Sequence, residues 1–186
     1  MRKYQTCFLD MDGVLVDFVG GALPLLGFKD EARYLINDYN IDRSLCIPAG
    51  RTFSEVAKQD YNFWAELPKA DTFLKALKVA GEVAESVVIV TEPCKGCENV
   101  SKLGKVIWLA NNHLGHYPLL FADGILRSKM AIFRGARNIL IDDYDVNLKR
   151  FRSEGGETIQ VPRPWNSEGR GEFNLTVNNY LDFLPI

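Results

Sequence analysis

Two carboxylates stand two residues apart at the end of an apolar run near the start of the chain, in Cys7-Phe8-Leu9-Asp10-Met11-Asp12-Gly13-Val14-Leu15. In an extended segment alternate residues face the same side, so Asp10 and Asp12 would point together. Two anions held that close repel unless a cation or a proton is shared between them. The pattern therefore points to a divalent metal site, with one carboxylate also free to act as nucleophile or acid/base. The simpler alternative is a strand-to-turn junction closed by an aspartate. Gly13 would let the backbone turn sharply and approach a ligand closely.

Residues of matching chemistry recur at the ends of other short apolar runs. Thr91 closes Val87-Val88-Ile89-Val90, and Asp142-Asp143 follows Asn138-Ile139-Leu140-Ile141. Glu157-Thr158-Ile159-Gln160-Val161 is a further β-branched run. Runs with almost no polar interruption suit central parallel strands covered on both faces. Helical patterns lie between them, over 70–81, 99–114, 129–133 and 146–154, the second with apolar Leu103, Val106, Ile107 and Ala110 at three- and four-residue spacing. Alternating strand and helix predicts an α/β fold, a doubly wound parallel sheet. Such sheets bind ligands beyond the carboxyl ends of their strands, where Asp10, Thr91 and Asp142-Asp143 would converge.

Residues 18–68 break that rhythm. They are rich in aromatics (Phe18, Phe28, Tyr34, Tyr39, Phe53, Tyr61, Phe63, Trp64) and punctuated by Pro24, Pro48 and Pro68. The expectation is a small, mostly helical cap over 18–68, inserted after the first strand, with a core formed by 1–17 and 69–186. Gly155-Gly156 and Pro162-Arg163-Pro164 read as turns, and 175–186 as a closing helix or docked tail. At 186 residues and 47% hydrophobic content, the chain can bury a real core. A net charge of -2 supplies no broad basic field, which argues against a nucleic-acid polymer as partner, while small anions can still be held by local cations. No apolar run approaches the roughly 20 residues needed to span a bilayer, and the Met-Arg-Lys-Tyr start lacks a secretory apolar stretch; a cytoplasmic protein is expected. Cys94, Cys97, His113 and His116 imitate a zinc finger, but the two-residue histidine spacing is short and no hairpin pattern precedes the helix.

The ordered set Asp10-x-Asp12-Gly13, Val90-Thr91, a lysine and Asp142-Asp143 resembles the haloacid dehalogenase superfamily of phosphotransferases. More narrowly, the chain is similar to the 5'(3')-deoxyribonucleotidases in 10–18 with Gly20-Gly21, in Phe63-Trp64-x-x-Leu67, in 89–95, in Lys105-x-x-Trp108, in Arg127-Ser128-Lys129 and in 140–143. The resemblance implies hydrolysis of phosphate monoesters through an aspartyl-phosphate, with Asp10 as nucleophile and Asp12 as the acid/base that serves the leaving alcohol and the attacking water. It implies Mg2+ held by the Asp10 side chain, the Asp12 carbonyl and Asp143, with Asp142 in support. Thr91, Lys95 and Lys129 would hold the phosphoryl oxygens, Lys129 also offsetting the acids. Phe18 would face the substrate, most simply a nucleoside or deoxynucleoside monophosphate. The chain departs from the family at Glu92, which stands where a phosphate-binding serine is usual, and Phe18 is the only clear counterpart of the aromatics that clasp the base. Sugar phosphates, other phosphometabolites, or a non-catalytic module of the same fold are the alternative readings.

Overall fold

The run that ends in Asp10 forms strand β1 (Tyr4–Asp10), buried at every position except Gln5. A computed structural model describes residues 2–47, 50–57 and 60–167 of the chain. The expected closing segment 175–186 lies outside the described residues. Four further strands follow: β2 (Ala84–Thr91), β3 (Leu119–Phe121), β4 (Ile139–Asp142) and β5 (Glu157–Gln160). All pair in parallel, in the order β3-β2-β1-β4-β5. The fold is thus the expected α/β sheet with β1 at its centre. Asp10 pairs with Val90, and Leu9 pairs with Ile141, so Asp10, Thr91 and Asp142 end three neighbouring strands at one edge.

Between β1 and β2 lie α1 (Phe18–Leu25), a 3-10 turn (Asp30–Leu35), α2 (Ile41–Ser44), α3 (Phe53–Ala57), α4 (Tyr61–Ala65) and α5 (Phe73–Val83). The crossovers that complete the sheet are α6 (Glu98–Asn111), α7 (Gly124–Lys129) with a 3-10 turn (Met130–Gly135), and α8 (Asp145–Ser153). Side-chain alternation along β1 divides the core. Cys7 and Leu9 face one layer with Val79, Ile89 and Trp108, while Phe8 faces the other with Leu140, Leu148 and Phe151. Each such fully buried Leu or Phe side chain contributes about 1.5–3 kcal/mol, and this burial holds the strand ends in place. No helix among the described residues is long and apolar enough to cross a membrane.

The three-residue strand β3 is too short to carry a periodic signal in the sequence. The apolar spacing on α6 pointed to the wrong face: Leu103 and Val106 are exposed, and the buried side is Ser101, Gly104, Lys105, Trp108 and Leu109. The reason is close packing against α4. A Cβ built on Gly104 would lie 2.3 Å from Trp64 Cβ and 2.5 Å from the Tyr61 carbonyl oxygen. The indole of Trp108 donates to the Leu67 carbonyl at 2.7 Å, just beyond α4.

This contact sets a test. Alanine gains about 1 kcal/mol over glycine inside a helix, but the steric conflict at Gly104 outweighs it. Urea titration of Gly104→Ala should show a net loss of about 1–3 kcal/mol. Gly81→Ala on α5, where a Cβ meets open space, should instead be neutral or stabilising.

Candidate active site

The strand ends bring Asp10, Asp142 and Asp143 together, all buried, with one ligand oxygen from each within 4.8 Å of the others. The turn after β1 makes room for them. The amides of Val14, Leu15 and Val16 all donate to the Met11 carbonyl, and Gly13 takes φ +79°. A Cβ at Gly13 would sit 2.2 Å from Asp143 Oδ2, so glycine alone fits both the backbone and the space. Arg163 braces the turn from the loop after β5. Its Nε donates to the Gly13 carbonyl and a terminal nitrogen donates to Thr72 Oγ1, each at 2.7 Å.

The two acids after β4 have different surroundings. Asp142 is fully engaged: it accepts from the Tyr144 amide at 2.8 Å, from Asn147 at 3.1 Å, and from Arg127. Asp143 accepts the Trp165 indole N–H on Oδ2 at 2.7 Å, and its buried Oδ1 has no partner. Asp12 shows the same pattern. Its Oδ2 takes Lys105 at 2.5 Å and Thr91 Oγ1 at 3.4 Å, while its buried Oδ1 has none. Orphaned, buried carboxylate oxygens beside a tight acidic trio are what a hard divalent cation requires. The donor set fits a metal bound by Asp10 and Asp143, with Asp142 as support.

The cations differ from those expected. Lys129 stays outside the site: its side chain is 58% exposed and its ammonium pairs with Glu154. The cation beside the nucleophile candidate is Arg127, 3% exposed, 2.9 Å from Asp10 Oδ1 and also bound to Asp142. On the short helix α7 the two side chains are separated by two positions, and only Arg127 turns inward. The second buried cation is Lys105, 1% exposed, which donates to Asp12, to Thr91 Oγ1 at 2.8 Å and to the Glu92 carbonyl at 2.9 Å. Its signal was a lysine on the small-residue face of α6, a face obscured by the exposed Leu103 and Val106. Lys95 and Glu92 line the cavity wall, Lys95 exposed. The zinc-finger imitation comes apart in three dimensions, since Cys97 precedes α6 and both histidines follow it, with 14 helical residues between.

Above the acids opens a cavity of about 610 Å³ lined by residues from both the sheet edge and the 18–68 segment. Phe18 is on its wall, and Phe53 and Trp64 join it there. Phe18 lies edge-on to Phe53 at 4.9 Å between centroids and stacks with Trp64 at 6.1 Å. Tyr39 stacks on Tyr144 at 3.9 Å, with 19° between the rings.

Burial raises the pKa of Asp10 well above the usual carboxylate range; Arg127 opposes this, and the other three acids add to it. Burial, then Asp142, push Asp143 up to about 8, against the Trp165 hydrogen bond and Arg163. Burial alone would lower the Arg127 guanidinium, but Asp10 and Asp142 more than reverse that and keep it charged. Tyr39 is 46% exposed as a residue, and burial and then Asp143, Asp10, Asp12 and Asp142 hold its phenol well above its ordinary range.

Solved structures with this architecture include a haloacid dehalogenase-like family hydrolase from Streptococcus pneumoniae, 14% identical, covering 88% of each chain with a TM-score of 0.60. The fold is that of the haloacid dehalogenase-like hydrolases. A second hydrolase from Streptococcus pneumoniae TIGR4 is 11% identical, covers 87% of this chain and 94% of its own, and has a TM-score of 0.52. A putative haloacid dehalogenase-like hydrolase from Burkholderia xenovorans LB400 is 16% identical, covers 89% and 87%, and has a TM-score of 0.51. No protein-family model and no curated protein matches the sequence.

The raised Asp143 gives a pH signature for this acidic site. A carboxyl that binds its proton more tightly when folded stabilises the metal-free protein at low pH. That contribution is lost as pH rises from about 4, the unfolded value, through about 8, the folded one. A metal replaces the proton, so Mg2+ should raise Tm more at pH 8 than at pH 5.5. Equal Mg2+ shifts at both pH values, in melts with and without chelator, would count against Asp143 as a ligand.

Proposed function

We propose that the chain is a magnesium-dependent phosphomonoester hydrolase that works through an aspartyl-phosphate on Asp10, with nucleoside or deoxynucleoside monophosphates as substrates. The observation that carries this reading is the buried trio Asp10, Asp142 and Asp143 at the carboxyl edge of the sheet, within 4.8 Å of one another. A bound Mg2+ would offset their charge and that of the phosphoryl group, letting one anion attack another.

Arg127 holds Asp10 Oδ1 and so fixes the carboxylate's orientation. The other oxygen attacks phosphorus, the P–O bond to the leaving alcohol breaks, and Asp12 gives that oxygen its proton. Asp12 then takes a proton from water, which cleaves the acyl phosphate and restores Asp10. Lys105 grips Asp12 through one oxygen and leaves the other for proton transfer, a positioning role. Thr91 and Lys95 face the phosphoryl group, and the charge-balancing role expected of Lys129 passes to Arg127. The aromatic wall of Phe18, Phe53 and Trp64 favours a flat base over a sugar, whose hydroxyls need more polar partners.

A panel of nucleotide, sugar and other monophosphates assayed with Mg2+ should show turnover concentrated on the nucleotides. Preference for a sugar phosphate would refute the substrate class and leave the chemistry standing. Asp10→Asn should cost about a thousandfold or more in kcat while the protein stays folded. A variant that keeps most of its activity would sink the covalent mechanism. Lys129→Ala should stay within about twofold of the parent, whereas Arg127→Lys, which replaces the guanidinium whose single Nη1 is shared by Asp10 and Asp142, should lose at least about tenfold.

A further inference from the structure

The chemistry above makes no use of Tyr39. This residue comes from the 18–68 segment and lines the same chamber as Asp12 and Asp143. Its ring lies flat on Tyr144, 3.9 Å between centroids. Tyr144 directly follows Asp142-Asp143, and its amide is one of the groups that hold Asp142. The stack thus joins the inserted segment to the residue that orders the acid pair. It also fixes the plane of the Tyr39 ring.

The other donors in the chamber are already engaged or exposed. Arg127 and Lys105 each spend their charge on carboxylates, and Lys95 is open to solvent. A phosphoryl group arriving over Asp10 brings several acceptor oxygens. A phenol is protonated at neutral pH and offers one O–H without adding charge. The geometry points to Tyr39 as a substrate-binding residue whose hydroxyl donates to a phosphoryl oxygen of the monoester, while its ring, clamped on Tyr144, closes the chamber over it. This rests on the phosphatase reading. It assigns to the inserted segment a direct contact with the reacting group, besides the aromatic wall for the rest of the substrate.

Tyr39→Phe keeps the ring and its stack and deletes only the donor. Steady-state kinetics should show KM raised about tenfold with kcat within about threefold, and calorimetry with Mg2+ should show orthophosphate bound about tenfold more weakly, at an unchanged Tm. Tyr39→Ala, which also loses the stack, should be worse on both counts. Parent values for KM and phosphate affinity in Tyr39→Phe would overturn the assignment. So would a faster Tyr39→Ala, which would mean that the ring obstructs the chamber. If the wild-type protein turns over no monophosphate, the functional reading fails and orthophosphate affinity alone decides: weakened in Tyr39→Phe if Tyr39 binds phosphate, unchanged if it does not. A wild-type protein that binds no orthophosphate with Mg2+ overturns both.

Discussion

Three carboxylates with ligand atoms inside 4.8 Å repel one another, and the rest of the site is arranged around containing that repulsion. At an effective dielectric of about 20, each ionised pair at that separation costs about 3–4 kcal/mol. Arg127 supplies one positive charge between Asp10 and Asp142. The remainder falls to protons, which is why Asp10 and Asp143 hold theirs so firmly, or to a cation that displaces them. Burial sharpens the choice. A carboxylate open to water would tolerate its neighbours, whereas one sealed under a sheet edge needs a partner.

The scaffold meets this demand with rigid parts. Parallel pairing sets Asp10 beside Asp142 to within a residue of register, and a slip of β4 by one position would turn Asp142 away from Asp10. The turn at Gly13 and its brace Arg163 bring Asp143 in from a different element. Asp12 forms a second charge pair with Lys105 a short way off, and Thr91 bridges the two by hydrogen bonds. The two anionic centres are therefore balanced separately, one by a guanidinium and one by an ammonium.

The central strands and the acids at their ends were legible because both depend on local pattern: an unbroken apolar run marks a buried strand, and a carboxylate directly after it marks where that strand leaves the core. The trio Asp10, Asp142, Asp143 could be read this way. The cations could not. Arg127 and Lys129 stand two residues apart on a helix of six, and nothing local says which faces inward; that is decided by where Asp10 and Asp142 lie. Lys105 lies in a stretch that matched the family, but its inward role was masked, since exposed Leu103 and Val106 present a more apolar stripe than the buried face. There the contact with α4 required smallness at Gly104, and propensity and hydrophobicity yielded to shape. Tyr39 carries no signal at all in one dimension, because its meaning comes from a stacking partner 105 positions along the chain.

The closeness of α4 and α6 at Gly104 also bears on motion. Helices whose backbones meet at van der Waals distance slide or separate only by breaking that contact, so α4 moves with the core helix that carries Lys105. Through Trp64, whose ring touches both Phe18 and Phe53, the aromatic wall of the chamber is tied to that same core helix.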